Sequence, residues 1–419
     1  MSKKGFIFLM AFSLFFVLTK GLFPGQDDQP IKITRLADKL YKVTATAEYS
    51  VNLLASIGED GLLLVDTGLP HSGENLLRAL KELKAGPPKI IINTHQHIDH
   101  TGNNDKFGKG VTLIGHRKLR YRLQSGPLII YEIPDYAVPS VSFDDTMNVF
   151  FNGEEIRLFA ATGSHTDTDI GVYFTTSGVA YLGDLAYGMH VPSFDRLSGD
   201  ILEYGNAVKK ALQYLPGNAL IVSGHGTDCT MKDMKEFQRM LAGTIQTVKN
   251  EYAKGKSAET MIKEKILKEW DAAGGGESGY TIDNWITLLV GRLKNGKPTV
   301  VPPYELLFAA YKTGGTDGMV RTYRELRLKE KDKYLFEVRT LNYFGNYFRF
   351  NDKIDESIKL NIANTEEYPE SYAAWYWLGD VYFNAGQNDK ALEALKKGLK
   401  VDPGNTYLLD LMKKIKEKK

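Results

Sequence analysis

The chain has little cysteine and little net charge, and each shortage narrows the range of functions. Cys229 is the one cysteine among 419 residues, so no internal disulfide can form and cysteine use does not indicate a redox compartment. The formal net charge is +2, and the part of the chain that carries the motifs below has no Lys/Arg-rich run. It therefore lacks the electrostatic footprint of a nucleic-acid-binding protein.

Long apolar runs are also scarce, and the N-terminal one is short. Gly5 to Leu18 is uncharged for 14 residues after the basic start Ser2-Lys3-Lys4, whereas a membrane-spanning helix needs about 20 apolar residues. A basic start, a short apolar stretch and a polar continuation are typical of a secretory signal. We expect residues 1–25 to be a signal peptide and the protein to be exported to a periplasmic or extracellular location. An uncleaved N-terminal membrane anchor is the alternative.

Histidine and aspartate are concentrated in one short segment, His95-Gln96-His97-Ile98-Asp99-His100. Three imidazoles and a carboxylate this close together cannot share one helix face, because neighbours at i and i+2 point in different directions. They suit a loop wrapped around metal ions. The preceding run, residues 89–94, is rich in β-branched residues and predicts a buried strand. Histidines that only cap turns or pack would require three coincidences in six residues.

Three further segments end an apolar run with one His or Asp beside a glycine. They are centred on His165, Asp184 and His225. A glycine at a strand end allows close approach to the backbone. Neutral imidazoles and carboxylates without thiolate suit zinc and also tolerate iron or manganese.

This set, in this order, resembles the metallo-β-lactamase superfamily, whose hallmark is H-x-H-x-D-H followed by a lone His, a lone Asp and a final His. All seven positions are filled, and residues 94–106 and 152–169 resemble its mostly uncharacterised periplasmic-type branch. The resemblance implies an αββα sandwich, an α/β fold, with two zinc ions per chain. It assigns His95, His97 and His165 to one metal, and Asp99, His100 and His225 to the second, with Asp184 bridging.

The resemblance also implies a mechanism. A hydroxide bridging the two zinc ions would cleave an ester, thioester, lactone or amide bond of the β-lactam kind, with Asp99 as the catalytic residue that orients the nucleophile and shuttles its proton. Two dications, two carboxylates and one hydroxide leave a charge of about +1, which favours a small anionic substrate.

Three other residues are candidates for contact with the ligands. Asp66 ends a predicted strand at a recurrent acidic position of the family, although a plain turn-forming role fits nearly as well. Tyr187 has the spacing of a helper tyrosine in lactone-cleaving members, with core packing as the alternative. His190 follows Asp184 by six positions, in a loop that should border the site.

Several branches of the superfamily do not fit the sequence. The RNA-processing nucleases carry a long insertion between the bridging Asp and the last His, whereas 41 positions separate Asp184 from His225. Di-iron flavoproteins have Glu where His97 stands. Lactamases with a cysteine ligand would need it at position 184.

The C-terminal part contains a repeat. Pro369 and Pro403 stand 34 residues apart, the length of one tetratricopeptide repeat. Two ladders of matching residues precede them, the stronger being Trp375, Leu378, Gly379, Tyr382 and Ala391, and the weaker Leu341, Phe344, Gly345, Phe348 and Ser357. A degenerate third unit is predicted over 304–329, with Gly314-Gly315 as its turn, and a final amphipathic helix over 406–416 should cap the stack.

The predicted organisation is therefore a catalytic domain over 26–255, a helical connector over 256–303 and an all-α tetratricopeptide-repeat region with a capping helix over 304–419. The repeats would recruit a protein partner or support self-association. Two functions compete on the sequence: a metal-dependent hydrolase, and a non-catalytic scaffold in which the sandwich is a spent enzyme and the repeats recruit a protein partner. A missing ligand would favour the scaffold, and none is missing.

Overall fold

The chain divides into two compact units, Met1–Pro298 and Thr299–Lys419. The computed structural model describes residues 31–46, 50–70, 72–125, 133–186, 190–195, 198–275, 280–296, 303–331, 333–334, 336–350 and 353–417. The predicted signal segment, 1–25, lies outside these residues. Among the described residues, no helix combines the length and the apolar character needed to cross a membrane.

In the described part of the first unit, one sheet has seven strands that follow one another in sequence order. Neighbouring strands from β1 to β4 pair antiparallel, and those from β4 to β7 pair parallel. The strands are β1 (Ile31–Arg35), β2 (Leu40–Thr46), β3 (Ser50–Gly58), β4 (Gly61–Val65), β5 (Pro88–Ile92), β6 (Thr112–His116) and β7 (Val141–Phe143).

A second sheet follows, with six strands among the described residues and the order β13-β12-β11-β10-β9-β8. Its one parallel pair among these strands is β11 with β12. The strands are β8 (Thr146–Phe151), β9 (Glu154–Ala160), β10 (Ile170–Phe174), β11 (Val179–Tyr181), β12 (Leu220–Val222) and β13 (Cys229–Thr230).

Successive side chains of the central strands are buried, because the other sheet covers one face of each sheet and helices cover the opposite face. Leu54 and Ile92 of the first sheet share a core with Val172 and Val222 of the second. The opposite face of the first sheet packs on α1 (Gly73–Glu82). The opposite face of the second packs on α5 (Tyr204–Leu212), α6 (Met231–Ala253) and α8 (Ile282–Asn295). The αββα sandwich expected from the sequence is confirmed.

The remaining helices of this unit are short. They are α2 (Ile98–Thr101), α3 (Asn104–Phe107), α4 (Arg117–Ser125) and α7 (Ala258–Lys263), with 3₁₀ turns at Asp135–Ala137, Gly183–Leu185 and Lys268–Ala273.

The segment predicted to be a connector contributes to the outer core of the second sheet. Met261 and Trp285 are fully buried there, and the Trp285 indole donates a hydrogen bond to Thr244 of α6 (3.1 Å). The apolar residues from Ala258 to Trp270 have helical spacing, which predicts one continuous helix. The α-helix instead ends at Lys263, because Lys265 adopts a φ of 51°.

The second unit is helical throughout its described residues. It contains α9 (Tyr304–Lys329), α10 (Val338–Phe350), α11 (Ile354–Glu367), α12 (Tyr372–Asn384), α13 (Asn388–Val401) and α14 (Thr406–Glu417). Helix α9 is interrupted at Gly315, where φ is 61° and ψ is −160°. A Cβ placed on Gly318 would lie 2.8 Å from the carbonyl oxygen of Ala310. Since these residues would be far apart on a straight helix, the chain reverses at Gly314-Gly315.

Equivalent contacts recur in two successive helix pairs. A Cβ on Gly345 of α10 would lie 2.6 Å from the Asn361 side chain of α11, and one on Gly379 of α12 would lie 2.7 Å from Leu395 of α13. Both the glycines and their partners are 34 residues apart. The glycine at this position lets the two helices of a pair approach closely, as the tetratricopeptide ladder requires.

Candidate metal centre

The side chains singled out in the sequence come from loops that follow strands of both sheets. The loop after β5 and the short helix α2 carry His95, His97, Asp99 and His100. The turn after β9 carries His165, and the 3₁₀ turn after β11 carries Asp184. His225 follows β12. Hydrogen bonds to the His100 carbonyl from Thr67 N (2.8 Å) and Asn93 Nδ2 (3.3 Å) tie the first loop to the ends of β4 and β5.

The structure brings all seven residues together in two groups. His95, His97, His165 and Asp184 form one group, and Asp99, His100 and His225 form the other; within each group the candidate ligand atoms lie within 4.8 Å of one another. Six of the seven are buried. His97, whose side chain is 27% exposed, faces solvent most, so the centre is accessible from its side.

The first group places three ring nitrogens against one another. Nδ1 of His97 lies 3.2 Å from Nε2 of His95 and 2.9 Å from Nε2 of His165. Asp184 Oδ2 is 3.4 Å from Nε2 of His165 and 3.9 Å from Nε2 of His95.

The second group meets the same carboxylate. Nε2 of His225 lies 3.3 Å from Asp99 Oδ2 and 3.2 Å from Asp184 Oδ2. Nε2 of His100 lies 3.2 Å from Asp184 Oδ1. Asp184 therefore contacts histidines of both groups, the position that a bridging ligand would need.

The outward nitrogens of four histidines have hydrogen-bond acceptors, which fixes their tautomers. The acceptors for Nδ1 are Asp66 Oδ2 for His100 (2.7 Å), the Ser193 carbonyl for His165 (3.0 Å), the Ser50 carbonyl for His225 (2.8 Å) and Thr94 Oγ1 for His95 (3.1 Å). Thr94 Oγ1 can accept because its own proton goes to Asp66 (2.7 Å). With a metal bound, each of these rings would thus keep its proton on Nδ1 and present an unprotonated Nε2 to the centre, the arrangement of metal-binding histidines.

Polar atoms without hydrogen-bond partners show that this donor set fits a cation. His100 Nε2 and Asp184 Oδ1 are buried and make no hydrogen bond, which is costly for atoms shielded from water. Converging lone pairs on His95, His97 and His165 repel one another unless a positive charge lies among them. Imidazole and carboxylate donors of this kind suit zinc, and also iron or manganese.

The protonation of the metal-free protein agrees with this interpretation. Burial lowers the pKa of His95 well below its ordinary value and lowers that of His165 to about 4. Burial alone would also lower the pKa of His225, but the neighbouring Asp184 and Asp99 raise it to about 10. They raise that of His100 as well, together with Asp66. These protons compensate the carboxylates until a metal displaces them.

Asp66 holds the first loop in place. It is fully buried with a φ of 64°. Its Oδ1 accepts from Thr94 N (2.7 Å), and its Oδ2 accepts from Thr94 Oγ1 and His100 Nδ1. Asp66 thus contacts a candidate ligand, His100, as the sequence analysis proposed.

Asp195 was missed in the sequence. Its Oδ2 lies 3.7 Å from His97 Nε2 and accepts from Gln96 Nε2 (3.0 Å) and Ser198 Oγ (3.0 Å). Although burial lowers the pKa of His97, Asp195 raises it overall. Asp195 follows no strand and belongs to no motif, so only its place in the 185–200 loop could have indicated a role.

The other candidates are not brought into the centre by the described contacts. Tyr187 lies outside the described residues. His190 is described, but its Nδ1 is buried without a hydrogen bond and it belongs to neither group. His116 ends β6, where its Nδ1 accepts from Lys118 N (3.3 Å) at the start of α4.

Comparison with known families agrees with this geometry. Residues 49–225 match the family model described as metallo-beta-lactamase superfamily. These residues form a metallo-beta-lactamase superfamily domain. Residues 372–405 match the tetratricopeptide repeat model, so a tetratricopeptide repeat lies at the C-terminal end of the chain. The chain therefore joins a metallo-beta-lactamase fold to an all-helical repeat region.

Curated relatives of the metallo-beta-lactamase domain are distant. An uncharacterized protein of Aquifex aeolicus (strain VF5) is 23% identical over 206 residues, which cover 47% of this chain and 95% of that protein. The alpha subunit of 2,4-dinitroanisole O-demethylase from Nocardioides sp. (strain JS1661) is 26% identical over 172 residues, covering 40% of this chain and 50% of that subunit. The chain thus spans half the length of the second relative.

Solved structures that match part of this chain include two metallo-beta-lactamases. The enzyme from Pontibacter korlensis is 20% identical with a TM-score of 0.44, and the match covers 51% of this chain and 99% of that one. The DIM-1 metallo-beta-lactamase exposed to ceftazidime is 16% identical with a TM-score of 0.44, covering 52% and 99%.

Proposed function

We propose that the metallo-beta-lactamase domain is a metal-dependent hydrolase that uses two zinc ions. The observation that carries this proposal is the convergence of seven donors, with His100 Nε2 and Asp184 Oδ1 buried and unpartnered. His95, His97 and His165 would hold one ion, and Asp99, His100 and His225 the other, with Asp184 between them. Iron or manganese would also fit these donors.

When bound, two such cations lower the pKa of a shared water to near 7 and so supply hydroxide at neutral pH. The chain itself contributes the Asp99 carboxylate. Burial alone would raise the pKa of Asp99, but the charge of His100 and the hydrogen bond from His225 keep it below its ordinary value. In the loaded centre the charge of the metal ions would replace these protons and keep the Asp99 carboxylate ionised, so that its Oδ2 could orient the nucleophile and accept its proton.

The charge of the loaded centre restricts the substrate. Two dications, the carboxylates of Asp99 and Asp184 and one hydroxide sum to about +1. A small substrate with an anionic group near the scissile bond is therefore favoured. The bond would be an ester, thioester, lactone or β-lactam-like amide, and the name of the Nocardioides relative adds an aryl methyl ether.

Turnover by the metal-loaded full-length chain tests the proposal. It is assayed with a β-lactam, a lactone, a thioester, a phosphodiester and 2,4-dinitroanisole. We expect about two transition-metal ions per chain and hydrolysis of a carbonyl substrate or the ether. His97→Ala should empty the first site, and Asp99→Asn should weaken the second; both should abolish turnover. His116→Ala is the control, since His116 lies outside both groups.

Two results would overturn the proposal that this domain is a hydrolase. One is the absence of metal from protein that was never exposed to chelator. The other is a loaded, folded protein that turns over no substrate, and that outcome would favour the scaffold.

We also propose that the repeat region binds a protein partner or a second copy of the chain, because its repeat belongs to a class of interaction modules. Export is a further proposal, and it depends on the sequence of residues 1–25 alone. Mass spectrometry of protein exported by a bacterial host should find these residues removed.

A further inference from the structure

A buried asparagine of the first sheet contacts the loop of the second sheet that carries His225. Asn52 lies in β3 and is 1% exposed. Its Nδ2 donates to the carbonyls of Ser223 (2.9 Å) and Gly226 (3.1 Å), which lie on either side of His225. Its backbone N–H donates to the Gly224 carbonyl (2.8 Å). One residue therefore makes three hydrogen bonds to the His225 loop.

The orientation of this amide is fixed by the two loop carbonyls. Because carbonyl oxygens can only accept, the NH₂ group must face them, and Thr44 Oγ1 of β2 donates to Asn52 Oδ1 on the other side (2.8 Å). Tyr181 of β11 donates its phenol proton to the Asn52 carbonyl (2.6 Å), which leaves the backbone at this point fully engaged. In this orientation the Asn52 side chain makes all three of its hydrogen bonds.

The same stretch of β3 also orients the His225 ring. The Ser50 carbonyl, two residues before Asn52, accepts from His225 Nδ1 (2.8 Å). The opposite nitrogen, Nε2, faces Asp99 and Asp184 at 3.3 and 3.2 Å. A shift of the loop away from β3 would therefore move Nε2 out of the second group.

Two other histidine ligands depend on different supports. His100 is held by Asp66, and His165 by the Ser193 carbonyl. Neither support contacts Asn52 in the described hydrogen bonds. Loss of the Asn52 amide should thus affect His225 and spare the first group.

We propose that Asn52 is a positioning residue that presents His225 to the second metal ion. This inference depends on the metal centre of the proposed function and extends it to a residue outside the ligand motif. The competing explanation is that Asn52 only joins the two sheets and contributes to stability.

Asn52→Asp separates the two explanations. Aspartate has the shape of asparagine but places an oxygen against the Ser223 and Gly226 carbonyls, so two donors are replaced by repulsion. We expect the dissociation constant of the second ion to rise about 10- to 100-fold, the usual effect of losing a residue that orients a ligand. That of the first ion should change by less than about threefold. Zinc titration against a chromophoric chelator, with elemental analysis, measures both constants without reference to turnover.

Asn152→Asp is the matched control. Asn152 is 5% exposed, and its Nδ2 also donates to two oxygens, Ser56 Oγ (3.0 Å) and the Gly61 carbonyl (3.1 Å). It contacts the far end of β3, so the control should lower thermal stability without changing the ratio of the two zinc constants. If Asn52→Asp does not fold, Thr44→Val removes only the hydroxyl that donates to Asn52 Oδ1, and a smaller selective loss at the second site is expected.

The proposal is overturned if folded Asn52→Asp has the same ratio of the two zinc dissociation constants as the wild type or Asn152→Asp. If Asn52→Asp does not fold, the same criterion applies to Thr44→Val. A wild-type chain that holds fewer than two zinc ions would overturn it as well. Failure of the hydrolase is distinguishable, because a wild type that binds two ions without turnover contradicts the proposed activity and leaves the Asn52 test intact.

Discussion

Among individual residues, Asp169 combines full burial with a role in shaping the turn that carries His165. Its Oδ2 accepts from Thr166 N (2.7 Å) and Ser164 Oγ (2.9 Å), and its Oδ1 accepts from Thr166 Oγ1 (2.5 Å). Burial raises the pKa of this carboxyl to about 7, against the opposing effect of these hydrogen bonds. Compared with the unfolded chain, the folded protein therefore favours the protonated form of Asp169.

We expect Asp169 to make stability fall as pH rises. The folded pKa is raised from 3.8 to about 7, so its contribution is complete below about pH 4 and lost as pH rises through 7, at up to about 1.4 kcal/mol per pH unit. Urea unfolding in chelator at pH 5 and pH 8 should show a larger loss for the wild type than for Asp169→Asn. Exposed Asp145 supplies the control, Asp145→Asn, and equal losses in all three proteins would refute this expectation.

At this scale, the sequence predicted the ligand types and, among the residues that orient them, Asp66 but not the others. The spacing from His95 to His100 is local and can be recognised in one chain, and all seven donors lie in the two groups. Their role as metal ligands stays a prediction. The supports of His165 and His225 are backbone carbonyls of Ser193 and Ser50, which carry no sequence signal. Asn52 is 171 residues from its partner Ser223, so no local pattern could connect them.

Strand ends bring backbone unusually close to the centre. After β12, a Cβ on Gly224 would contact Asp184 Oδ1 and lie 2.9 Å from Cε1 of His100. Both side chains are buried and have no room to withdraw. The glycine beside His225 therefore makes space for candidate ligands rather than for the metal itself.

Gly224→Ala should displace Asp184 or His100. We expect a loss of about 1–3 kcal/mol in stability, typical of overpacking, together with weaker binding of both ions. Zinc titration and thermal unfolding measure these effects. Gly217→Ala lies in an exposed turn where an added Cβ meets nothing within 4 Å, and it should stay within about 0.5 kcal/mol of the wild type. A Gly224→Ala protein that binds two ions as tightly as the wild type would contradict the prediction.

The reversal inside α9 depends on a conformation that only glycine adopts readily. Gly315, with φ 61° and ψ −160°, lies in a region essentially closed to other residues. We expect Gly315→Ala to destabilise the repeat unit by about 1–3 kcal/mol and to leave zinc binding unchanged. Gly404→Ala, with no contact within 4 Å and no positive φ, is its control. Equal unfolding curves for the two variants would be inconsistent with this role.

Element boundaries were predictable where the apolar pattern is strong. The apolar pattern of residues 40–46 predicts a strand, and β2 has these bounds; the helical spacing of residues 232–252 predicts a helix, and α6 spans Met231–Ala253. The break after Lys263 was not predicted, because Lys265 gives no compositional sign of a positive φ. The packing of the two sheets depends on contacts between distant segments, and the family resemblance rather than the pattern supplied the αββα sandwich.

For the whole molecule, the two units suggest that the catalytic part can function alone. We expect a chain ending near Pro303 to bind two zinc ions and to keep the kcat of the full-length protein on a small substrate, because helical repeats bury their apolar faces mainly on one another. Metal titration and steady-state kinetics test this expectation. A truncated protein that is folded and loaded but has lost turnover would show that the repeats help build the site.

Because the sandwich is divided between two sheets, the stability of the fold should depend on the concentration of free metal. The first sheet is built from residues 31–143 and the second from 146–230, and each candidate group takes donors from both. A bound ion would therefore link two contiguous halves of the chain. Each tenfold rise in free metal above its dissociation constant would add about 1.4 kcal/mol to the free energy of unfolding. Metal starvation would remove this increment of stability, and the two halves would then be joined by the apolar core that both sheets share.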